Sequence, residues 1–447
     1  MVRYTLTEFI HDLQFADLPD AVVTHARRCL IDLIGTAAGG YTTEVSRIIR
    51  THAVRQFGSG EGNGARLLFD GRRVSPAGAA LAGGLMIDSL DCHDGHVLLK
   101  GHVGVAVLPA LLALVDSGYT VDEQEFMTCL VIGYEIATRA GIALHSTVCD
   151  FHSSGAWNTL ACAALGARLL KLDAEQTRQA LGIAEYHGPR GQIMRVVDHP
   201  TMVKDGSGWG AMAGVSAAFL AADGFTGAPA LTVEAEGVAH IWSDLGERWR
   251  IHEQYFKAYP VCRWAQPAIE AVLSLQRQHH LDADSIKYIE VNTFHEGTRL
   301  STRCPTSSDE AQYSLPFPVA AILVRGQLGA AEVTGSALHD PAILRLSANM
   351  VLIEDDSYNA RFPAQRWAHV TVVLNDDSRL TSDPAVARGN PENPLSDAEI
   401  LEKYHRLAEP VLGKDRTARL KDGVDRLARN ANHLPEFLNL VLEAVSS

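Results

Sequence analysis

The hydrophobic period of this chain changes twice, and that change limits its fold more than any other feature. Up to about residue 251 the apolar residues recur at helical spacing. Phe9, Leu13 and Leu18 are followed by Val22, Ala26, Cys29, Leu30, Leu33 and Ile34, the interval of helices with one buried face. The glycines between residues 35 and 40 predict a break in that first long pattern. After Pro260 the period falls to two: residues 285–294 and 368–375 alternate apolar with polar, and 350–354 is a shorter strand. Residues 316–324 and 341–347 between them read as helices, the second with its proline at the tolerated first position. Helical spacing returns over 396–405 and 434–445, after a proline-rich connector at 387–396. The predicted fold class is therefore mostly α, a helical protein with an α+β unit inserted.

At 447 residues the chain exceeds one ordinary core, so two domains are expected. With 47% hydrophobic and 21% charged residues it reads as a globular protein and not a disordered one. A net charge of −14 without a Lys/Arg cluster argues against a nucleic-acid surface. An acidic chain that binds an anion must concentrate its few useful cations in the pocket, which draws attention to isolated Lys and Arg residues near glycine-rich loops. Seven cysteines without a Cys-x-x-Cys pair fit a reduced, cytoplasmic protein better than a disulfide framework. The first nine residues lack the basic start and apolar core of a signal peptide. The uncharged run 206–222 is mostly Gly, Ala and Ser and too weakly apolar for a bilayer, so no membrane partner is expected. Small residues at 78–85, 160–167 and 210–219 predict helices that approach one another closely.

Chemistry concentrates in residues 88–104, where acids, three imidazoles and Lys100 crowd a glycine-punctuated loop. The apolar run 105–115 follows at once, and because Pro109 belongs in a first turn the helix is expected to begin near Val107 and to stop at Gly118. The loop histidines then sit by a helix N-terminus, a place attractive to carboxylates. His152, ahead of the small-residue helix at 155, has the same setting and by itself reads as a capping or core residue. The glycine-rich lead 201–210 lacks the Gly-Lys-Ser/Thr ending of a phosphate loop. It presents Lys204 beside exposed backbone amides, a carboxylate cradle. Residues 256–266 carry Lys257, Tyr259 and Arg263, which alone would read as a solvated linker; a guanidinium there is a bidentate carboxylate partner.

These blocks together resemble the MmgE/PrpD family of 2-methylcitrate dehydratases, cis-aconitate decarboxylases and iminodisuccinate epimerase. Asp91, Asp94 and His102 fall on its N-terminal signature, Phe151-His152-Ser-Ser-Gly155 on its second motif, Lys204 on its motif lysine, and Lys257, Tyr259 and Arg263 on its Lys-Pro-Tyr-Pro-x-Cys-Arg block. The chain departs from the pattern at Gly95, where threonine is usual, at Val103, where proline is usual, at Gln266, where histidine is common, and at Phe317, where relatives place a tyrosine near the substrate. The resemblance implies an all-helical domain from residues 1–255 plus 396–447, an α+β domain from 256–395, a site between them, a homodimer, and proton chemistry without metal or organic cofactor. It also implies roles: His102, His152, Lys204 and Lys257 as catalytic groups, and Asp91, Asp94, His96, Tyr259 and Arg263 as substrate-binding groups.

The leading function is proton abstraction and return next to a carboxylate of a small di- or tricarboxylate, which needs a positioned base and cations for the developing charge. Gly95 and Phe317 remove hydroxyls that a dehydratase or decarboxylase would use as neutral donors, so the sequence leans toward an epimerase of the iminodisuccinate type. Hydro-lyase and decarboxylase remain as alternatives. Asp91, His93, Asp94 and His96 offer the ligand types of a metal-dependent hydrolase, and a non-catalytic helical scaffold is the third class.

Overall fold

The computed structural model describes residues 4–60, 62, 64–427 and 432–445; residues 1–3, 428–431 and 446–447 of the expected helical-domain ranges lie outside the described residues. The chain is mostly helical, with an α+β part toward the C-terminus. One apolar core takes side chains from Phe9 to Phe256 and again from Leu395 to Leu442. A second takes Val261 to Val372, and draws in Ile193, Val196 and Val197 from a short helix of the preceding part. The two crossings touch: the Phe256 N–H donates to the Gly389 carbonyl at 2.9 Å.

In the helical part, Pro76–Asp88, Gly155–Leu169 and Ser207–Ala222 pack almost backbone to backbone. A β-carbon on Gly84 would lie 2.6 Å from Gly208 Cα, and one on Gly214 would lie 2.4 Å from the Thr159 carbonyl oxygen. The small residues singled out in the sequence are the ones that permit these approaches. Glu123–Thr147 is long and apolar enough to cross a bilayer, yet 94% of its most apolar window is buried within the protein, as in a core helix.

Two helix boundaries differ from expectation. Asp20–Gly40 runs unbroken through its glycines, because Tyr404 and Leu407 of the Asp397–Leu412 helix press against Gly35 and Gly39, each within 3.0 Å of where a β-carbon would stand. These glycines are contact points and not breaks. The helix expected from Val107 begins three residues earlier, spanning Gly104–Asp116 with Pro109 in its second turn. Proline there forfeits one backbone hydrogen bond, and its ring is accommodated opposite Gly83, whose added β-carbon would come within 2.6 Å of Pro109 Cβ.

The α+β part is built on a sheet whose central strands, Ile286–Thr293 and Trp367–Leu374, pair antiparallel. Val351–Glu354 adds to the first in parallel, and Arg379–Thr381 and Ala385–Val386 pair with the second. Gln266–His279 and Pro316–Arg325 contribute side chains to the core beside it. The antiparallel Ala65–Arg66 and Arg73–Val74 pair inside the helical part is too short for a periodicity signal.

The glycine contacts make a stability prediction. Gly84→Ala forces a methyl against backbone that cannot rotate away and is expected to cost about 1–3 kcal/mol. Gly237→Ala meets nothing within 4 Å and should stay within about 0.5 kcal/mol of the parent. Urea unfolding midpoints of the two variants check this.

Candidate active site

The loop joining Pro76–Asp88 to Gly104–Asp116 is buried over residues 88–96 and is folded inward by its own polar groups. The Tyr134 hydroxyl and the Gly104 N–H both donate to the Asp94 carboxylate. The Asp94 carbonyl in turn receives the Nδ1–H of His102 at 2.5 Å. A carbonyl only accepts, so His102 is held as the tautomer with its lone pair on Nε2. The Ser154 hydroxyl receives the His102 N–H and Asn158 donates to its carbonyl, so the backbone is held from the Gly155–Leu169 helix as well.

His102 Nε2 faces Asp91 Oδ1 at 3.5 Å. Asp91 has a left-handed backbone, φ 49°, a conformation that a non-glycine residue keeps only when its surroundings impose it. The imposing partner is Lys257, fully buried, whose ammonium donates to both the Asp91 carbonyl at 2.8 Å and Oδ1 at 2.5 Å. Burial works against the Lys257 charge, but Asp91, Tyr255 and Cys262 together outweigh it and the ammonium is held above its ordinary range. Burial first, and then the Lys257 charge, push His102 down to about 3. At neutral pH this pairs a firm cation with a neutral imidazole.

Asp91, His102, Lys257 and Arg263 line one narrow cleft with Lys100, Asp205, Tyr255, Cys262, Tyr313 and Arg366. The centres of water-sized spheres have about 30 Å³ to occupy there, room for one or two waters. Val197 of the Met194–Asp198 helix and Ile193 just before it form one wall. Behind His102 lies His93, its ring 4.2 Å away, fully buried, with neither ring nitrogen hydrogen-bonded among the described residues and Nε2 3.7 Å from Asp88 Oδ1.

The other expected site residues face elsewhere. Asp94 is a support for the loop, as described. His96 donates Nε2–H to Glu253 at 2.9 Å and accepts the Leu98 N–H on Nδ1. Tyr259 is turned to Glu270 at 3.0 Å. His152 stacks on His145 and is absent from the cleft lining. Lys204 is fully buried, bound to Asp309 at 2.8 Å and to Gln312 at 2.6 Å. It borders a separate cavity of about 380 Å³ that also includes Arg195 and His199.

Sequence reasoning gave no site role to Tyr255, Tyr313, Asp205, Lys100 or Arg366. Tyr313 lay inside a motif block and Lys100 inside the loop, and both were legible as residue types. Arg366 sits in no motif. Tyr255 had no signal in the sequence: a β-carbon at position 95 would stand 2.5 Å from the Tyr255 hydroxyl, so the missing threonine leaves the space that the phenol fills, and only the fold shows it. Phe317, by contrast, is fully buried in the α+β core and does not line the cleft. Tyr255 and Tyr313 are neutral donors in the cleft: burial holds both phenols above their ordinary range and so protonated.

The metal-ligand reading is also redrawn. Asp94 and His96 point away from Asp91, and the group within mutual reach is Asp91, His93 and His102, with one donor atom each inside 4.8 Å. Lys257 already sits on Asp91 Oδ1, so a divalent ion there would face an ammonium at contact distance.

Residues 4–248 match the family model of the MmgE/PrpD N-terminal domain, and residues 259–429 that of the MmgE/PrpD C-terminal domain. Over 98% of its length the chain is 24% identical to the cis-aconitate decarboxylase-like protein oryM of Aspergillus oryzae, of which 97% is covered. It is 25% identical to a cis-aconitate decarboxylase of Aspergillus terreus, with 98% of this chain and 96% of the relative aligned. The corresponding enzyme of Mus musculus is 24% identical over 95% of this chain and 90% of its own. With both domains matched and its relatives aligned nearly end to end, the chain belongs to the MmgE/PrpD family.

Proposed function

We propose that this protein is a lyase acting on a small di- or tricarboxylic acid by proton transfer next to a carboxylate, without metal or organic cofactor, and that decarboxylation is its net reaction. The observation that carries the reading is the junction of a neutral His102, an ion-paired Lys257 and two buried phenols in one narrow cleft. The epimerase lean rested on hydroxyls missing at positions 95 and 317, and Tyr255 and Tyr313 supply them. The cis-aconitate decarboxylases among the relatives favour the same choice.

In this reading a substrate carboxylate leaves as CO2 and its bonding electron pair stays on the adjacent carbon, delocalised into a second carboxylate. Lys257 and the cleft guanidinium groups stabilise that charge in a water-poor site, where fixed charges act strongly. A phenol of Tyr255 or Tyr313 gives the carbon its proton, and the phenolate recovers one from cleft water. His102 Nε2 is the base for any step that removes a proton from carbon.

Purified protein in deuterated water with cis-aconitate, 2-methylcitrate or iminodisuccinate separates the reaction types. Release of CO2 from cis-aconitate, with one solvent deuterium on the product carbon, is expected. Exchange of the α-hydrogen of iminodisuccinate without CO2 would make the protein an epimerase, and loss of water from 2-methylcitrate a hydro-lyase. Loss of the proton-giving phenol, by Tyr255→Phe or Tyr313→Phe, should lower kcat about 100- to 10,000-fold and more than it changes KM, whereas His102→Gln should suppress any exchange of carbon-bound hydrogen with solvent. If EDTA abolishes activity and a divalent ion restores it, the metal reading through Asp91, His93 and His102 replaces this one.

A pH prediction follows from His102. Held at about 3 against an ordinary 6.5, it stays unprotonated in the folded protein while the unfolded chain takes up a proton. Between about 6.5 and 3 the unfolded state therefore binds more protons, and acidification through that window destabilises the native state. The His102→Gln variant should lose less stability than the parent from pH 7 to 4, as followed by urea midpoints.

A further inference from the structure

The basic residues in and around the cleft are not alike. Lys257 is paired with Asp91 and Lys204 with Asp309. Arg263 spends its guanidinium on Gln266, Asn390 and the carbonyls of Ala387 and Arg388. Arg366 and Lys100 have no carboxylate within ion-pair distance among the described residues. Arg366 is 6% exposed, donates from Nη2 to the Val97 carbonyl at 2.9 Å, and leaves its buried Nε without a partner. Lys100 is half-buried, reaches only the Leu98 carbonyl at 3.2 Å, and lies 4.4 Å over the Phe151 ring.

A buried guanidinium normally brings its counter-charge with it, because burying an ion unpaired is unfavourable. Here two cations line the same cleft, one from the helical part and one from the residue just before the Trp367–Leu374 strand. Lys100 is held there by a left-handed backbone, φ 54°. Charged and titratable groups face the pair from several elements, with His96, His102, Arg263 and Tyr255 all interacting with Arg366. Burial first, then Arg366, depress the Lys100 ammonium to about 8, opposed by Glu296. His145 also feels Lys100. Burial lowers Arg366, and Tyr255 and Cys262 oppose that. Glu296 influences both cations but forms no ion pair with either.

We propose that Arg366 and Lys100 form a clamp for a second carboxylate of the ligand, apart from the one at His102 and Lys257, so that the cleft selects anions with two or more carboxylates. The guanidinium offers the planar fork and the ammonium a point charge. The substrate class rests on the function proposed above, but the clamp itself is a binding statement and is tested without turnover.

The probe is tricarballylate, a saturated tricarboxylate with no double bond or hydroxyl to react, with propionate as a one-carboxylate comparison, both measured by calorimetry. Wild type is expected to bind tricarballylate and to bind it less well as pH rises through about 8, where Lys100 loses its charge. Arg366→Gln and Lys100→Met should each weaken tricarballylate about tenfold or more, the weight of one charge-assisted hydrogen bond, and leave propionate nearly unchanged. Lys100→Met should also lose the pH step, which a merely structural role would not remove. Lys100 is half-buried on a loop, so its variant carries the test even if Arg366→Gln fails to fold. Wild-type affinity in Lys100→Met overturns the clamp whatever substrate is turned over, and so does a wild type that does not bind tricarballylate. Failure of cis-aconitate to react, with the binding differences intact, overturns the decarboxylase reading and leaves the clamp standing.

Discussion

The contact between Lys257 and Asp91 holds the cleft together. It ties the loop after Pro76–Asp88 to the segment where the chain leaves the helical core, and both partners are buried. The pair fixes Asp91 in a left-handed backbone and places an acceptor 3.5 Å from His102 Nε2; burial and the Lys257 charge keep that imidazole neutral, and Asp91 opposes them. Breaking a buried pair by removing one partner costs about 3–5 kcal/mol, because the other charge is stranded. Lys257 therefore serves structure and electrostatics at once, and a change at either residue would disturb the loop before it disturbed any chemistry.

Around that pair the protein separates basic groups that are satisfied internally from basic groups that are not. Lys204 and Arg263 are absorbed by protein acceptors, and their burial is compensated. Arg366 and Lys100 are left open toward the cleft. In a chain with net charge −14 this is a local reversal of sign within a narrow cleft, which concentrates the field where an anion would sit. The short Met194–Asp198 helix and the residue before it stand between that cleft, lined by Ile193 and Val197, and the neighbouring cavity, lined by Val196.

The fold was readable to the extent that it is periodic. The strands at 286–293 and 367–374 and the helices at 316–325 and 341–348 lie where alternation and proline placement put them. The failures came where a rule of local propensity yielded to a contact from elsewhere in the chain. Gly35 and Gly39 continue a helix because Tyr404 and Leu407 need the space, and Pro109 sits in a second turn because Gly83 receives its ring. Neither partner is near in sequence, so one chain without its fold gives no sign of them.

The site was readable as an inventory of residue types and not as directions. Asp91, His102, Lys257 and Arg263 converge, whereas Asp94, His96 and Tyr259 are spent on Tyr134, Glu253 and Glu270. What decides is backbone conformation: Asp91, Lys100 and Lys204 all adopt φ near +50°, which turns side chains in ways that spacing along the chain does not show. Position 95 adds a second reason: a missing threonine removes a hydroxyl, but in three dimensions an absent side chain is also a vacancy, and Tyr255 occupies it. A substitution in a motif therefore has two consequences, the group removed and the space released, and only the first is visible in the sequence.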